Sequence, residues 1–168
     1  MISFVLPEET HRADVLDFYA EFEQNGEVCI GYNGYRDFDT WLHGMQNRKA
    51  GKNLPDGYVR ENLYLCYAQN EMVGVFSLKF ELTQFLRDFG GHIGYAVRAT
   101  RRNQGLATQM LKQGLQIAKT LGFEKVLVVC DDDNYASEKV IIKNNGVYEN
   151  KIYSEEENVF VKRYWISL

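Results

Sequence analysis

The sequence predicts a mixed α/β (α+β) fold, in which helices pack on one central, mostly antiparallel sheet that contains one parallel βαβ crossover. Two observations support this prediction. Strand-like and helix-like segments alternate through all 168 residues, with no internal repeat, low-complexity tract or linker between them. Residues 93–130 read as strand, helix and strand, which predicts a right-handed crossover between two roughly parallel strands. One domain over residues 1–168 accounts for this order, and the length suits it.

The first part of the chain predicts one short strand and two amphipathic helices. "ISFVL" at 2–6 reads as a strand, and the stretches 11–26 and 35–51 carry apolar residues at helical spacing, with Gly26 as a stop signal. The apolar faces are formed by Val15, Leu16, Phe18, Tyr19 and Phe22 in the first helix and by Phe38, Trp41, Leu42 and Met45 in the second.

The remaining elements alternate strands with helices and end in a hairpin. In order, they are strands at 62–68 and 72–82 joined by a tight turn at 69–71, a helical turn at 83–91, a strand at 92–98, a helix at 105–122, a strand at 125–130, a helix at 134–146, and a hairpin of 147–154 and 158–168. The helix at 105–122 has the clearest apolar face, formed by Leu106, Met110, Leu111, Leu115, Ala118 and Leu121. The run "KVLVVC" at 125–130 is typical of a strand buried on both faces.

Composition and charge argue against several classes of function. A net charge of −4 disfavours a general nucleic-acid binder, which carries a basic face. No apolar run approaches the ~20 residues that span a bilayer, and "MISFVLPEET" lacks the cationic lead of a signal peptide, so we expect no membrane association and no secretion. Three cysteines without CxxC spacing predict reduced thiols in the cytoplasm. Three scattered histidines argue against a metal site.

The segment "RRNQGLAT" at 101–108 lies where a predicted strand gives way to the long helix, and its residues suit an anion. The first amides of a helix lack internal partners and the helix dipole adds positive charge, so phosphate binds there favourably. Gly105 lets a ligand approach the backbone, and Arg101 and Arg102 can add charge-assisted hydrogen bonds. These features predict that the turn binds a pyrophosphate. The alternative interpretation is structural: Gly105 allows a tight turn, and the two arginines are a solvated edge. It matches neither a P-loop nor the three-glycine dinucleotide motif.

Two longer segments resemble the GNAT superfamily of N-acetyltransferases. "IGYAVRATRRNQGLATQML" at 93–111 looks like its acyl-CoA-binding motif, in which a strand ends in Tyr-x-Val and Arg/Gln-x-x-Gly-x-Gly/Ala opens a helix. "VLVVCDDDNYASEKVIIKNNGVYE" at 126–149 resembles the next motif, which has an asparagine after the fifth strand and a small residue three positions later. Together with "DFDTWL" in the N-terminal half, these segments look closest to a bacterial branch of predicted acetyltransferases.

The resemblance implies that the fourth and fifth strands splay apart and that the pantetheine arm of an acyl-CoA lies between them. The backbone of Tyr95, Ala96 and Val97 would pair with that arm as an added strand does. Asn134 matches an asparagine that hydrogen-bonds the pantetheine, and an N-cap of the next helix is its alternative role. The residues that match the pyrophosphate turn are Asn103, Gln104, Gly105, Leu106, Ala107 and Thr108, with Arg102 at its edge. Acetyl-CoA is thus the implied co-substrate, and no metal is implied.

The chain departs from the family pattern at both positions that usually move protons. Ile141 stands where many relatives have a tyrosine that protonates the departing thiolate, and Val129 stands where some have a glutamate base. The sequence therefore assigns no catalytic residue. An acyl-cysteine on Cys130 is conceivable, but a small buried hydrophobe is the favoured interpretation. The candidates for a base or proton relay are His92, Glu81, Glu23 and Tyr153, and a surface or structural role is the favoured interpretation of each.

The implied activity is transfer of an acetyl group from acetyl-CoA to a primary amine of a small molecule or peptide by direct attack. The alternative is a noncatalytic acyl-CoA-binding or sensing module, which the missing acid and base favour slightly; a flavodoxin-like nucleotide binder would need a mostly parallel sheet. We expect the first two helices, the loop at 53–59 and the last hairpin to form the acceptor pocket, and that hairpin could also support a homodimer. We expect most of the aromatic residues there to be core; they are Phe18, Tyr19, Phe22, Tyr32, Tyr35, Phe38 and Trp41. Four acids could meet a cationic amine, although scattered acids on helices are usually solvated; they are Glu21, Glu23, Glu27 and Asp37.

Overall fold

Seven strands form one sheet in the computed structural model, which describes residues 2–32 and 37–168. The strands are β1 (Ser3–Val5), β2 (Glu61–Ala68), β3 (Glu71–Lys79), β4 (Ile93–Val97), β5 (Lys125–Asp131), β6 (Val147–Ser154) and β7 (Val159–Ser167). The helices are α1 (Arg12–Gln24), α2 (Phe38–Ala50), α3 (Leu106–Thr120) and α4 (Tyr135–Lys143), with short 3-10 turns at Glu9–His11 and Ala99–Arg101 and a π-helical turn at Leu86–Gly90.

The sheet order is β1-β2-β3-β4-β5-β7-β6, and only β4 and β5 run parallel. The predicted mixed fold, with a mostly antiparallel sheet and one crossover, is therefore confirmed. The sequence predicts the final hairpin but not its placement, in which β7 enters the sheet beside β5 and leaves β6 at the edge.

The two faces of the sheet carry separate apolar cores. Helices α3 and α4 cover one face, where Met110 and Leu111 pack on Phe76 and neighbouring strand residues. Helices α1 and α2 cover β1 to β4 on the other face, where Trp41 is fully buried. Gly114 allows α3 to lie close to β3, because a Cβ there would meet the Phe76 ring at 2.1 Å.

Three details differ from the predicted pattern. Leu16 and Leu121 have apolar side chains at helical spacing but are 41% and 44% exposed, so neither is a core residue. Leu121 is the residue that caps α3, where the chain turns away from the sheet. Strand β3 ends at Lys79 rather than at residue 82. Tyr35, predicted to border the acceptor pocket, lies outside the described residues.

No helix within 2–32 or 37–168 is both long enough and apolar enough to cross a membrane.

Candidate functional site

Strands β4 and β5 diverge, and the opening between them is the centre of the candidate site. Their register contains a single pair, Ile93 with Val128, at the start of β4. On its other side, β4 is fully paired with β3. Arg98 N donates to Val73 O, and Lys79 N donates to His92 O. The splay of the fourth and fifth strands, which the resemblance implies, is thus present.

The β3–β4 register fixes which groups of β4 face this opening. In an antiparallel ladder, the amide and carbonyl of alternate residues point to the same neighbour. Because Arg98 bonds to β3, Ala96 and Gly94 do so as well, and the main-chain groups of Tyr95 and Val97 point toward β5. Of the three predicted residues of β4, two therefore face the opening through their backbone, and Ala96 does not.

The turn between β4 and α3 presents a run of unpaired amides. Gln109 N donates to Gly105 O at 3.1 Å, which is the first bond of the helix. Within the part of the chain that the structure describes, the amides of 103–108 have no acceptor. Asn103 and Gly105 have positive φ angles of 62° and 74°, a local geometry that gathers successive amides into an anion-binding concavity.

The same turn leaves room for a ligand. A Cβ built on Gly105 would have no heavy atom within 4 Å, so the space over this backbone is open. The predicted residues Asn103, Gln104, Gly105, Leu106, Ala107 and Thr108 thus lie together at the N-terminus of a helix of 15 residues. Because the unpaired donors are clustered and accessible, the turn fits a diphosphate in both charge and shape.

The two arginines of the turn are not free to serve as phosphate ligands. Arg101 pairs with Glu71. Arg102 donates Nε to Val97 O at 3.1 Å and holds both carboxylate oxygens of Glu27, one of them at 2.9 Å through Nη1. A phosphate would have to displace Glu27 to reach this guanidinium, whereas no acidic side chain of the described residues occupies the amides of 103–108.

A third arginine explains how the turn is held in place. Arg98 is 8% exposed, and its guanidinium bonds to Asp17 at 2.7 Å and to Glu21 at 2.8 Å, both from α1. Glu21 also accepts from Thr100 N at 2.9 Å and Thr100 Oγ1 at 3.1 Å. Glu21 and Glu27, two of the acids that could meet a cationic amine, pair with arginines instead.

Asn134 sits at the start of α4, on the α4 side of the opening. Its Oδ1 accepts from Ser137 N at 3.0 Å, which is the N-cap role. Its amide nitrogen has no partner among the described residues and stays available to a ligand. Across the opening, the hydroxyl of Tyr95 lies 2.8 Å from Ser137 Oγ, and burial raises the pKa of Tyr95 to about 12.

His92, one candidate base, has a ring nitrogen that is hydrogen-bonded within the sheet. Its Nδ1 accepts from Leu127 N at 2.8 Å. Burial, together with the nearby charges of Lys79 and Arg87, lowers its pKa to about 4. The ring is therefore neutral near pH 7, with its proton on Nε2, and neither nitrogen can accept a proton from an amine.

Replacing His92 with glutamine is expected to flatten the dependence of stability on acid pH. Between pH 6.5 and 4 the unfolded chain binds a proton at this position and the folded chain does not, so stability falls as the pH is lowered through that window. Allowing for its partial exposure, we expect a contribution of about 1 to 2 kcal/mol. Urea unfolding at pH 7 and pH 4.5 measures it, with His43→Gln as an exposed control. An unchanged pH slope in the His92 variant would contradict the assignment.

The other residues considered for proton transfer have no special environment. Glu81 and Glu23 are exposed, and the hydroxyl of Tyr153, also exposed, bonds to Asn158. Ile141 is fully buried in the α3–α4 core. Cys130 is buried, and burial raises the pKa of its thiol to about 11, which disfavours a nucleophilic thiolate.

The aromatic residues of α1 and α2 are mostly core. Those that are buried are Phe18, Tyr19, Phe22, Phe38 and Trp41. Tyr32 is partly exposed and stacks on Tyr19 with 4.2 Å between ring centroids. Ile30 covers Gly94 of β4, since a Cβ there would lie 3.3 Å from Ile30 Cδ1. Ile30 therefore packs against the α1–α2 face of β4.

Among the residues with described positions, no group of three or more His, Cys, Asp or Glu side chains is arranged to hold a metal ion.

Comparison with known proteins accounts for this arrangement. A family model for the acetyltransferase (GNAT) domain matches residues 6–146. The chain belongs to the GNAT acetyltransferase family. Acetyl transfer is therefore the general reaction of this GNAT domain, and the predicted family is confirmed. No curated protein sequence matches the chain significantly.

Solved structures share the fold of this GNAT domain at low sequence identity. RimL, a ribosomal L7/L12 alpha-N-protein acetyltransferase in complex with coenzyme A, has a TM-score of 0.72 and 19% identity, covering 99% of this chain and 94% of that chain. MccE, the microcin C7 self-immunity acetyltransferase in complex with acetyl-CoA and AMP, has a TM-score of 0.72 and 14% identity, covering 99% and 92%. The structure of yncA from Salmonella typhimurium with its cofactor acetyl-CoA has a TM-score of 0.68 and 11% identity, covering 99% of this chain and 94% of that chain.

Proposed function

We propose that residues 1–168 act as one N-acetyltransferase domain that transfers the acetyl group of acetyl-CoA to a primary amine of a small molecule or peptide. The observation that carries this is the continuity of two features. The opening between β4 and β5 ends at the six unpaired amides of 103–108. An extended amide-bearing arm followed by a diphosphate has the chemistry to satisfy both. The coenzyme A and acetyl-CoA complexes of the structural neighbours support the same ligand.

The residues that face the opening have distinct roles in this proposal. Acetyl-CoA supplies an activated thioester. The backbone of Tyr95 and Val97 holds the arm, and the amide of Val97 can stabilise negative charge that develops on the thioester oxygen. Asn134 can donate its free amide nitrogen to the arm. Tyr95 stays protonated at neutral pH and can donate a hydrogen bond to the departing sulfur, while the thiolate takes its proton from solvent.

The acceptor amine attacks from the α1–α2 side, because α3 and α4 cover the other face of the sheet. Its nitrogen forms the new bond to the acyl carbon as the C–S bond breaks. The ammonium proton leaves through water, since Val129 replaces the glutamate base of relatives. Holding both substrates in one opening removes much of the entropic barrier.

Amine-dependent release of free thiol from acetyl-CoA tests this proposal. The panel contains small primary amines and peptides with free N-termini, since RimL acts on a protein α-amine. We expect thiol release that requires both the protein and an amine, with acetylated product detected by mass spectrometry. Coenzyme A binding without turnover across the panel would favour the sensing module. No binding of coenzyme A would refute the proposal.

A further inference from the structure

A cavity of about 310 Å³ lies between α3, the end of α4 and the end of β7, and cations border it. Its lining includes Lys112 and Lys119 of α3 and Lys143 of α4. Across 2–32 and 37–168, none of these ammonium groups has a carboxylate within 4 Å. Gln116 and Asn145 add amide donors to the same lining. The charged side chains of this concave lining are three lysines, which favour a compact anion.

The cavity adjoins the proposed diphosphate turn. Asn144, a buried residue of its wall, donates its side-chain amide to Thr108 O at 3.3 Å and to Val140 O at 2.9 Å. Thr108 is the last of the six residues with unpaired amides. Lys112 follows it by one helical turn on the same face of α3. The lining of the cavity on α3 therefore begins one helical turn beyond the last residue of the proposed diphosphate turn.

The two lysines of α3 lie at different distances from the start of the helix. At 1.5 Å per residue, Lys112 lies about 9 Å along the axis from the first residue of α3, whereas Lys119 lies about 20 Å along it. Helical side chains lean toward the N-terminus, which brings the ammonium group of Lys112 closer to the turn. Lys143 borders the same end through its neighbour Asn144.

We propose that Lys112 and Lys143 bind the 3′-phosphate of coenzyme A. This rests on the proposed function, in which the diphosphate occupies the turn at 103–108. The 3′-phosphate lies on the ribose that carries this diphosphate, so only a few bonds separate the two groups. A phosphate monoester carries a charge of about −1.5 to −2 near pH 7, which two lysines can neutralise as point charges. The domain would then distinguish coenzyme A from its dephospho form.

Calorimetry at one fixed salt concentration tests this assignment. It gives the dissociation constants of the protein for coenzyme A and for 3′-dephospho-coenzyme A. We expect Lys112→Gln and Lys143→Gln each to weaken coenzyme A binding by about threefold to fivefold, the range of a partly exposed charge pair. Binding of the dephospho form should not change. Lys119→Gln, which removes the same charge at the far end of the cavity, should change neither constant.

Results that would overturn the lysine assignment can be distinguished from results that would refute the proposed function. Equal affinity of the unmodified protein for both ligands, or equal losses for both ligands in the Lys112 and Lys143 variants, would overturn the assignment and leave the proposed function standing. Inorganic phosphate bound at the cavity in the presence of saturating coenzyme A would identify a separate anion site and overturn it too. Failure of the unmodified protein to bind either ligand would refute the proposed function itself.

Discussion

Replacing Gly105 with aspartate is expected to lower the affinity for coenzyme A by roughly a hundredfold or more. Two unit charges about 4 Å apart repel by about 4 kcal/mol at an effective dielectric constant near 20, and each 1.4 kcal/mol is a factor of ten. The new carboxylate would project into the open space at Gly105, in the turn where we propose that the diphosphate binds. The helix itself gains from an acid at its N-terminus, so the loss should appear in binding and not in folding.

Asparagine at the same position is the matched control. Gly105 has a φ of 74°, a left-handed conformation that asparagine and aspartate tolerate better than other residues. Glutamate lacks this tolerance, so a Gly105→Glu variant would mix backbone strain with charge. Titration calorimetry on both variants, with urea unfolding as a check on the fold, separates the two effects. Equal affinities of the aspartate and asparagine variants for coenzyme A would show that the phosphates lie elsewhere.

Local patterns in the sequence predicted much of the fold and located the strand-to-helix turn where we propose that the diphosphate binds. Periodicity is a property of consecutive residues, and it located the long helix to within two residues at each end, at 105–122 against Leu106–Thr120. The motif around Gly105 likewise consists of neighbouring residues, and the structure brings all six of its predicted amides together. The splay of β4 and β5 was predicted from the family resemblance, because the divergence of two strands has no local signal in the sequence of either strand.

Pairing between distant residues could not be predicted in this way. Arg102 was expected at the edge of the diphosphate, but its partner is Glu27, 75 positions earlier in the chain. Glu21 and Thr100 are separated by 79 positions. The sequence shows that a residue is charged but not whether its side chain contacts solvent, a ligand or an opposite charge. Only the packing of α1 against the end of β4 decides among these.

The hydrogen-bonded cluster of Glu21, Arg98 and Thr100, which joins α1 to the β4–α3 turn, should therefore affect both stability and cofactor affinity. Glu21 is the acceptor that joins Arg98 to Thr100, and its side chain is 16% exposed. Burial opposes its ionisation, but hydrogen bonds from Thr100 and Arg98 outweigh this and lower its pKa. A group of this kind stabilises the fold above its unfolded pKa of about 4.5, and the contribution is lost as the pH falls below that value.

Glu21→Ala is expected to destabilise the protein by about 2 to 4 kcal/mol, because it removes charge-assisted hydrogen bonds and leaves Arg98 with fewer partners. Glu21→Gln, which keeps an acceptor of the same shape, should cost about 1 to 2 kcal/mol. Urea unfolding at pH 7 measures both losses, and Glu23→Gln serves as an exposed control on the same helix.

The same variants also test the turn at 103–108, where we propose that the diphosphate of the cofactor binds. The bonds from Glu21 to Thr100 fix the segment that leads directly into residues 103–108. Glu21→Gln should therefore raise the KM for acetyl-CoA more than it lowers kcat, since it loosens the binding turn without touching the reacting atoms. A loss of kcat at unchanged KM would contradict this role. It would place Glu21 nearer to the acceptor, as its position on α1 first suggested.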